Sequence, residues 1–256
     1  MTEAPDLGSA FVTGVVRGRA LMVTVNRPEK RNAFTQDAYR AIKRAAIWAD
    51  RQSGIDAVCL TGTGDWFGSG GDLSRFQDVA DLDSEWDGTD HHPFRHIERC
   101  RKIWVARING VCHAGGLDLA LHCDVTLASD RARFRVPELL RGLPDPYIWS
   151  RLVDTIGLAR ARWMIFTAGE IDAAAAGAMG LVGEVVEHDR LDERVDWALD
   201  QISRTGPSAR AIMKREITRR LPIADPSVFS QVDPAEMTEG MNSFVEKRPP
   251  DWSKLG

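Results

Sequence analysis

The chain has 256 residues, more than the roughly 100 to 200 of one ordinary domain, and is long enough for a large α/β unit carrying a smaller appendage. Its 33 lysines and arginines against 37 aspartates and glutamates leave a net charge of −4, which offers no basis for binding nucleic acid or an anionic membrane surface. No apolar run approaches the roughly 20 residues of a membrane helix. The start, Met1-Thr2-Glu3-Ala4-Pro5-Asp6, lacks the basic and apolar stretches of a signal peptide. The four cysteines, Cys59, Cys100, Cys112 and Cys123, form no CxxC pair, and three lie in or beside apolar strand-like runs, so reduced thiols in a cytoplasmic protein are expected.

In chain order, Val12 to Val16 and Leu21 to Val25 read as a hairpin turning at Arg17-Gly18-Arg19. Thr35 is a candidate N-cap for a helix to about Arg51, with Ile42, Ala45, Ala46 and Ala49 at helical spacing. A strand at Val58 to Thr61 leads to a glycine turn, Ser69-Gly70-Gly71-Asp72. The acidic stretch Asp78 to Asp90 has no period and reads as a loop. A helix from Pro93 to Lys102, a strand from Ile103 to Ile108 and a second glycine turn, Ala114-Gly115-Gly116-Leu117-Asp118, follow. Leu117 to Leu121 reads as helix, Val125 to Ala128 and Phe134 to Val136 as strands. Beyond Pro144 the spacing predicts helices at 148–156, 159–166 and 172–178, and a strand at 181–186. After Leu191 it predicts helices alone, at 191–204, 207–220 and 227–247. Strand and helix alternate early and helices dominate late, which divides the chain into an α/β core over 1–190 and a helical region over 191–256.

The two glycine turns carry the first chemical expectation. Glycine lets a backbone N–H approach a ligand oxygen with no Cβ in the way, and two such donors aimed at one point would form an oxyanion hole. Gly115 and Gly116 also open a helix, where developing negative charge is favoured. Asp118, one turn on, is either a carboxylate delivered to that site or an acid favouring the helix N-terminus, and spacing alone leaves the two level. Glu138 follows Pro137, and Asp145 is bracketed by Pro144 and Pro146. Carboxylates whose surroundings split their pKa values can serve as acid and base in one site, although each alone is more often a surface residue.

Several segments together carry a resemblance. They are Val23 to Phe34, Ser69 to Leu73, Ile108 to Ala120, Cys123-Asp124-Val125, Ala132 to Glu138 and Gly240 to Pro250, in this order over residues 12 to 252. The chain resembles the enoyl-CoA hydratase/isomerase family, the crotonases. The resemblance implies a spiral of ββα units, a C-terminal helical trimerisation region, assembly as a trimer or dimer of trimers, and an acyl-CoA thioester as ligand, with no separate cofactor or metal because CoA is part of the substrate. It implies that the N–H groups of Gly71 and Gly115 hold the thioester oxygen and that Asp118 and Glu138 are the paired carboxylates. Ala33, Ser69, Asp72 and Leu73 would line the CoA, with Phe244 and Lys247 closing over it, often from a neighbouring subunit.

Asp118 is one methylene shorter than the glutamate that hydratases of the family carry. Asp145 stands where they keep a glycine, which gives the trio Asp118, Glu138 and Asp145 a likeness to dienoyl-CoA isomerases. Hydration of an enoyl-CoA, migration of a double bond, hydrolysis of a cyclic diketone and a non-catalytic acyl-CoA-binding scaffold therefore stand as alternatives, hydration first. Gly62-Thr63-Gly64-Asp65-Trp66-Phe67 fails as a dinucleotide fingerprint because Phe67 occupies the third glycine position. Cys112-His113 and His122-Cys123 match no zinc spacing. His113, His92, His96 and the basic run Arg215, Arg219 and Arg220 have solvated or packing roles as their default reading, with contact to substrate or CoA phosphate as the minority one.

Overall fold

A computed structural model describes residues 4–73 and 92–254. The acidic loop expected at Asp78 to Asp90, with Trp86 and His91, lies outside the described residues.

Strands β1 (Val12–Arg17) and β2 (Ala20–Val25) form the expected hairpin, turning through Gly18 at φ +59°. From there β3 (Ala57–Gly62), β5 (Ile103–Ile108), β7 (Val125–Ser129) and β10 (Glu184–Val186) continue a six-stranded sheet, β1-β2-β3-β5-β7-β10, parallel beyond the hairpin. Its central strands are apolar on both faces because both are covered: Ala57, Val58, Cys59 and Leu60 are all buried. Helix α1 (Gln36–Arg51) lies on one face, its N-terminus closed by Thr35, which accepts a hydrogen bond from the Ala38 N–H at 3.1 Å. Helix α7 (Leu191–Ser203) seals the other face, with Leu191, Val195 and Ala198 against Cys59, Val105 and Leu127.

A second sheet, β4-β6-β8-β9, stands beside the first: β4 (Trp66–Gly68), β6 (Val111–His113), β8 (Arg133–Arg135) and β9 (Ile171–Asp172). Along the chain each turn gives one strand to the large sheet, one to the small sheet and then a helix. Strands β5 and β6 lead into α3 (Gly115–Leu121), and β7 and β8 lead to α4 (Pro146–Ile156). This is the spiral of ββα units that the resemblance implied. The sequence reading missed β4, β6 and β9, which at two or three residues are too short to show a period.

Helix α2 (Phe94–Arg99) packs against α8 (Pro207–Thr218), whose buried Lys214 donates to the carbonyls of Ile97 and Lys102 at 2.8 and 2.9 Å and to Asp124 at 2.6 Å. The helix expected over 227–247 is divided. A 3-10 turn at Pro226–Gln231 precedes α9 (Pro234–Val245), which Asp233 caps, because Pro234 has no N–H to continue a helix from upstream. Helix α9 lies on the segment Glu138–Arg141, with Gly240 so close to the Arg141 backbone that any side chain there would overlap it. Helices α5 (Leu158–Thr167) and α6 (Ala173–Met179) complete the described fold, α6 capped by Asp172. Among the described residues no helix is long and apolar enough to cross a membrane, and the four cysteines are free thiols.

Candidate active site

The two glycine turns leave neighbouring strands of the small sheet. β4 and β6 pair in parallel, Trp66 opposite Val111 and Gly68 opposite Cys112, so the turns that follow them emerge side by side at one end. Gly70 adopts φ +102° and Ala114 φ 52°, ψ −131°, conformations that L residues rarely hold, and together they set the direction of the next N–H. The turns nearly touch. A Cβ on Gly70 would stand 3.4 Å from the Gly115 nitrogen, and one on Gly115 would stand 3.6 Å from the Gly70 Cα. Gly116 packs so tightly on Gly68 that a side chain would overlap the Gly68 carbonyl, whereas a Cβ on Gly71 would meet open space.

Phe34 straps the first turn in place: its N–H donates to the Gly70 carbonyl and its carbonyl accepts from the Asp72 N–H, both at 2.8 Å. Among the described residues neither the Gly71 nor the Gly115 N–H is used in a main-chain hydrogen bond; the latter opens α3, where the first donors have no intrahelical partner.

Three carboxyl groups gather behind these amides. Asp118 is 1% exposed, on the inner face of α3. Burial raises its pKa well above the usual carboxylate range, and Asp145 and Glu138 reinforce that through their charge and through a hydrogen bond that Asp118 makes to Asp145. Glu138, at the start of the 3-10 segment after β8, is pushed up to about 8 by burial and by Asp145, and is therefore protonated at neutral pH. Asp145 is raised by burial too, but it caps α4, where one of its oxygens accepts from the N–H groups of Tyr147 at 2.8 Å and Ile148 at 3.2 Å. The proton of the close pair accordingly belongs on Asp118, with Asp145 as acceptor. Asp118 Oδ1 and Glu138 Oε2 are buried without a partner among the described residues.

An aromatic wall closes the site. Tyr39, on the first turn of α1, stacks on Phe34 at 5.1 Å between ring centroids and stands edge-on to His92 and Phe94 at 5.3 and 6.2 Å. Tyr147 packs on Phe94 at 4.9 Å. His122, beneath it, donates from Nδ1 to the Asp118 carbonyl at 2.7 Å, and burial lowers its pKa to about 3, so it is neutral. The sequence reading passed over Tyr39 because a lone tyrosine at a helix start carries no motif; its one signal is a polar tip at a position whose period faces the core.

Of the residues expected to line CoA, Ala33 and Asp72 meet through Arg27, which donates to Asp72 at 2.5 Å and to the Ala33 carbonyl at 3.4 Å, with Ser69 and Leu73 on the same turn as Asp72. Phe244 lies at the end of α9 under the Arg141 guanidinium, 4.4 Å from its ring centroid, and Lys247 follows it in a left-handed conformation.

A model of the enoyl-CoA hydratase/isomerase family matches residues 17–254. The chain belongs to that family. The Mevalonyl-coenzyme A hydratase sidH of Aspergillus fumigatus is 32% identical over 99% of this chain and 99% of its own length. The Short-chain-enoyl-CoA hydratase of Clostridium acetobutylicum is 30% identical over 90% of this chain and 93% of its own. The crystal structure of an enoyl-CoA hydratase/isomerase from Pseudoalteromonas atlantica T6c covers 94% of this chain and 99% of its own, at 29% identity and a TM-score of 0.83.

Other features of this enoyl-CoA hydratase/isomerase family member fall outside the carboxylate site. His113 faces Glu170, with Nε2 3.1 Å from its carboxylate. Arg215 and Arg219 pair with Glu216 on the surface of α8. A cavity of about 930 Å³ lies between α2, α4 and α8, on the far side of Phe94 and Tyr147. Several of its cations are already engaged: Arg151 with Glu98, Arg210 with Asp56 and Lys214 with Asp124. Among the described residues no group of His, Cys, Asp and Glu has the arrangement of a metal site.

Proposed function

We propose that this acyl-CoA enzyme adds water across the double bond of an enoyl-CoA thioester. The observation that carries the reading is the meeting of two unused main-chain donors, Gly71 and Gly115, with a buried carboxyl group, Glu138, whose pKa of about 8 suits proton transfer near neutrality. The amides would accept the charge that develops on the thioester oxygen; a single donor of this kind is worth roughly 2.7 to 4 kcal/mol in acyl-transfer enzymes. As water forms its bond to the β-carbon, Glu138 gives its proton to the α-carbon and takes one back from the water, so the carboxyl ends as it began. The identities of about 30% to proteins named as hydratases support the same reading.

A second reading, migration of a double bond, is favoured by the Asp118–Asp145 pair. The pair would supply an acceptor and a donor in addition to Glu138, as removal of a proton from one carbon and return to another requires. Ring-opening hydrolysis, for which His113 would be the further candidate group, is weakened by the pairing of that histidine with Glu170. The CoA moiety would run along Ala33, Ser69, Asp72 and Leu73, with Phe244 and Lys247 over it. Exposed Trp163, Phe166 and Val245, which are 49%, 72% and 73% accessible, favour assembly with further copies of the chain, as a trimer or a dimer of trimers.

Crotonyl-CoA and a 3,5-dienoyl-CoA, followed by absorbance, separate the readings. Hydration predicts loss of the enoyl band with crotonyl-CoA, isomerisation a shift with the diene alone, and no change with either would refute both.

A further inference from the structure

A phenol enclosed by aromatic rings normally finds a hydrogen-bond partner. Tyr39 is held by Phe34, His92 and Phe94, and it is 9% exposed, yet its hydroxyl has no hydrogen bond among the described residues. A Cβ on Gly115 would overlap the Tyr39 oxygen, which puts that oxygen within about 4 Å of the Gly115 Cα given ordinary bond lengths. Asp118, Asp145 and Glu138 all lie close enough to act on its ionisation, and with burial they hold it well above the usual phenol range, so it is a neutral donor. Two carboxyl oxygens of the groups that act on it, Asp118 Oδ1 and Glu138 Oε2, are themselves buried without a partner among the described residues. Packing alone would account for phenylalanine at this position and leaves the hydroxyl unexplained.

We propose that Tyr39 is a further catalytic residue, its hydroxyl donating a hydrogen bond to the thioester end of the acyl-CoA beside the Gly115 N–H. The proposal rests on the acyl-CoA reading above and deepens it. It adds a side-chain donor to the two main-chain ones, and makes absence of a side chain at Gly115 a condition for the tyrosine's position.

The test is Tyr39→Phe, which keeps the ring and removes the oxygen. The expected result with crotonyl-CoA is a fall in kcat/KM of about 10- to 100-fold, carried by kcat, with the melting temperature unchanged or raised. A readout free of turnover is the ultraviolet band of acetoacetyl-CoA, a thioester that enolises when its carbonyl is stabilised; Tyr39→Phe should weaken the band at equal occupancy. A kcat/KM within twofold of the wild type, or an unchanged band, overturns the proposal. Gly115→Ala supplies the geometric arm. Alone it displaces the hydroxyl and lowers the melting temperature. Combined with Tyr39→Phe it should regain much of the loss, because the Tyr39 Cζ is 3.5 Å from that Cβ, an ordinary contact. A double variant no more stable than Gly115→Ala also refutes the placement. If the wild-type protein neither turns over crotonyl-CoA nor enolises acetoacetyl-CoA, the acyl-CoA reading falls and this proposal with it. Activity that Tyr39→Phe leaves intact sinks the proposal alone.

Discussion

Glu138→Gln isolates what a buried carboxyl group does for this enzyme and what it costs the fold. The side chain lies in the site with Oε2 unpartnered, and its pKa rises from 4.5 to about 8. Below 4.5 it is protonated in both folded and unfolded chains. Between 4.5 and 8 the unfolded chain releases the proton and the folded one keeps it, so stability falls by roughly 1.4 kcal/mol per pH unit, a few kcal/mol over the interval, and levels off above 8. Glutamine has the shape of the protonated acid and does not titrate, so the variant lacks this slope. Asp118 titrates in both proteins and largely cancels in their difference. Urea unfolding at steps from pH 5 to pH 9 should show the glutamine variant gaining on the wild type by a few kcal/mol, with most of the gain before pH 8. In kcat/KM the wild type should lose activity above about pH 8, as the acid form disappears, and the variant should lose about 100-fold or more at every pH. Parallel stability curves, or unchanged turnover in the variant, would refute the assignment of Glu138 as a buried proton carrier.

Neighbouring glycines should separate function from folding. Gly71→Ala adds a methyl into open space and should leave unfolding free energy within about 1 kcal/mol while lowering kcat/KM by about tenfold or more, as stopped assays and denaturation will show. Gly116→Ala drives a methyl into the Gly68 carbonyl and should destabilise by several kcal/mol in the same denaturation assay. Asp145→Asn keeps an N-cap for α4 and removes the acceptor charge beside Asp118, whereas Asp145→Ala also loses the cap, so the alanine variant should be less stable than the asparagine variant by about 1 kcal/mol. Lys214→Met removes the cation that pairs with Asp124 and the donor to two carbonyls, and should cost about 1 to 3 kcal/mol at pH 7, read from the shift of the urea midpoint.

The long elements were legible because their residues repeat at one period. The hairpin at 12–25, the helix capped by Thr35 and the apolar strands at 57–62 and 103–108 formed where the spacing placed them. The glycine turns could be read as places of close approach, since a side chain at Gly70 would overlap Ala114 and one at Gly115 would overlap the Tyr39 oxygen. What brings the turns together was not legible. It is the pairing of β4 with β6, two three-residue strands from distant parts of the chain, and no local pattern encodes such a contact. The same limit hid the Asp118–Asp145 hydrogen bond: 27 positions of sequence separate partners that meet only when α4 crosses α3. Tyr39 was missed because its role depends on Gly115 having no Cβ, a relation between one residue and an atom that is absent from another.

Helix α9 rests on the short segment that begins with Glu138, where Gly240 meets the Arg141 backbone and Gly142 meets the backbone of Glu236. The tail thus acts as a splint for the carboxyl group proposed to carry the proton, while contributing little to the sheet core. Fraying from the carboxyl end would disarm the enzyme with its central sheet still intact, so inactivation in rising urea should run ahead of the loss of secondary structure.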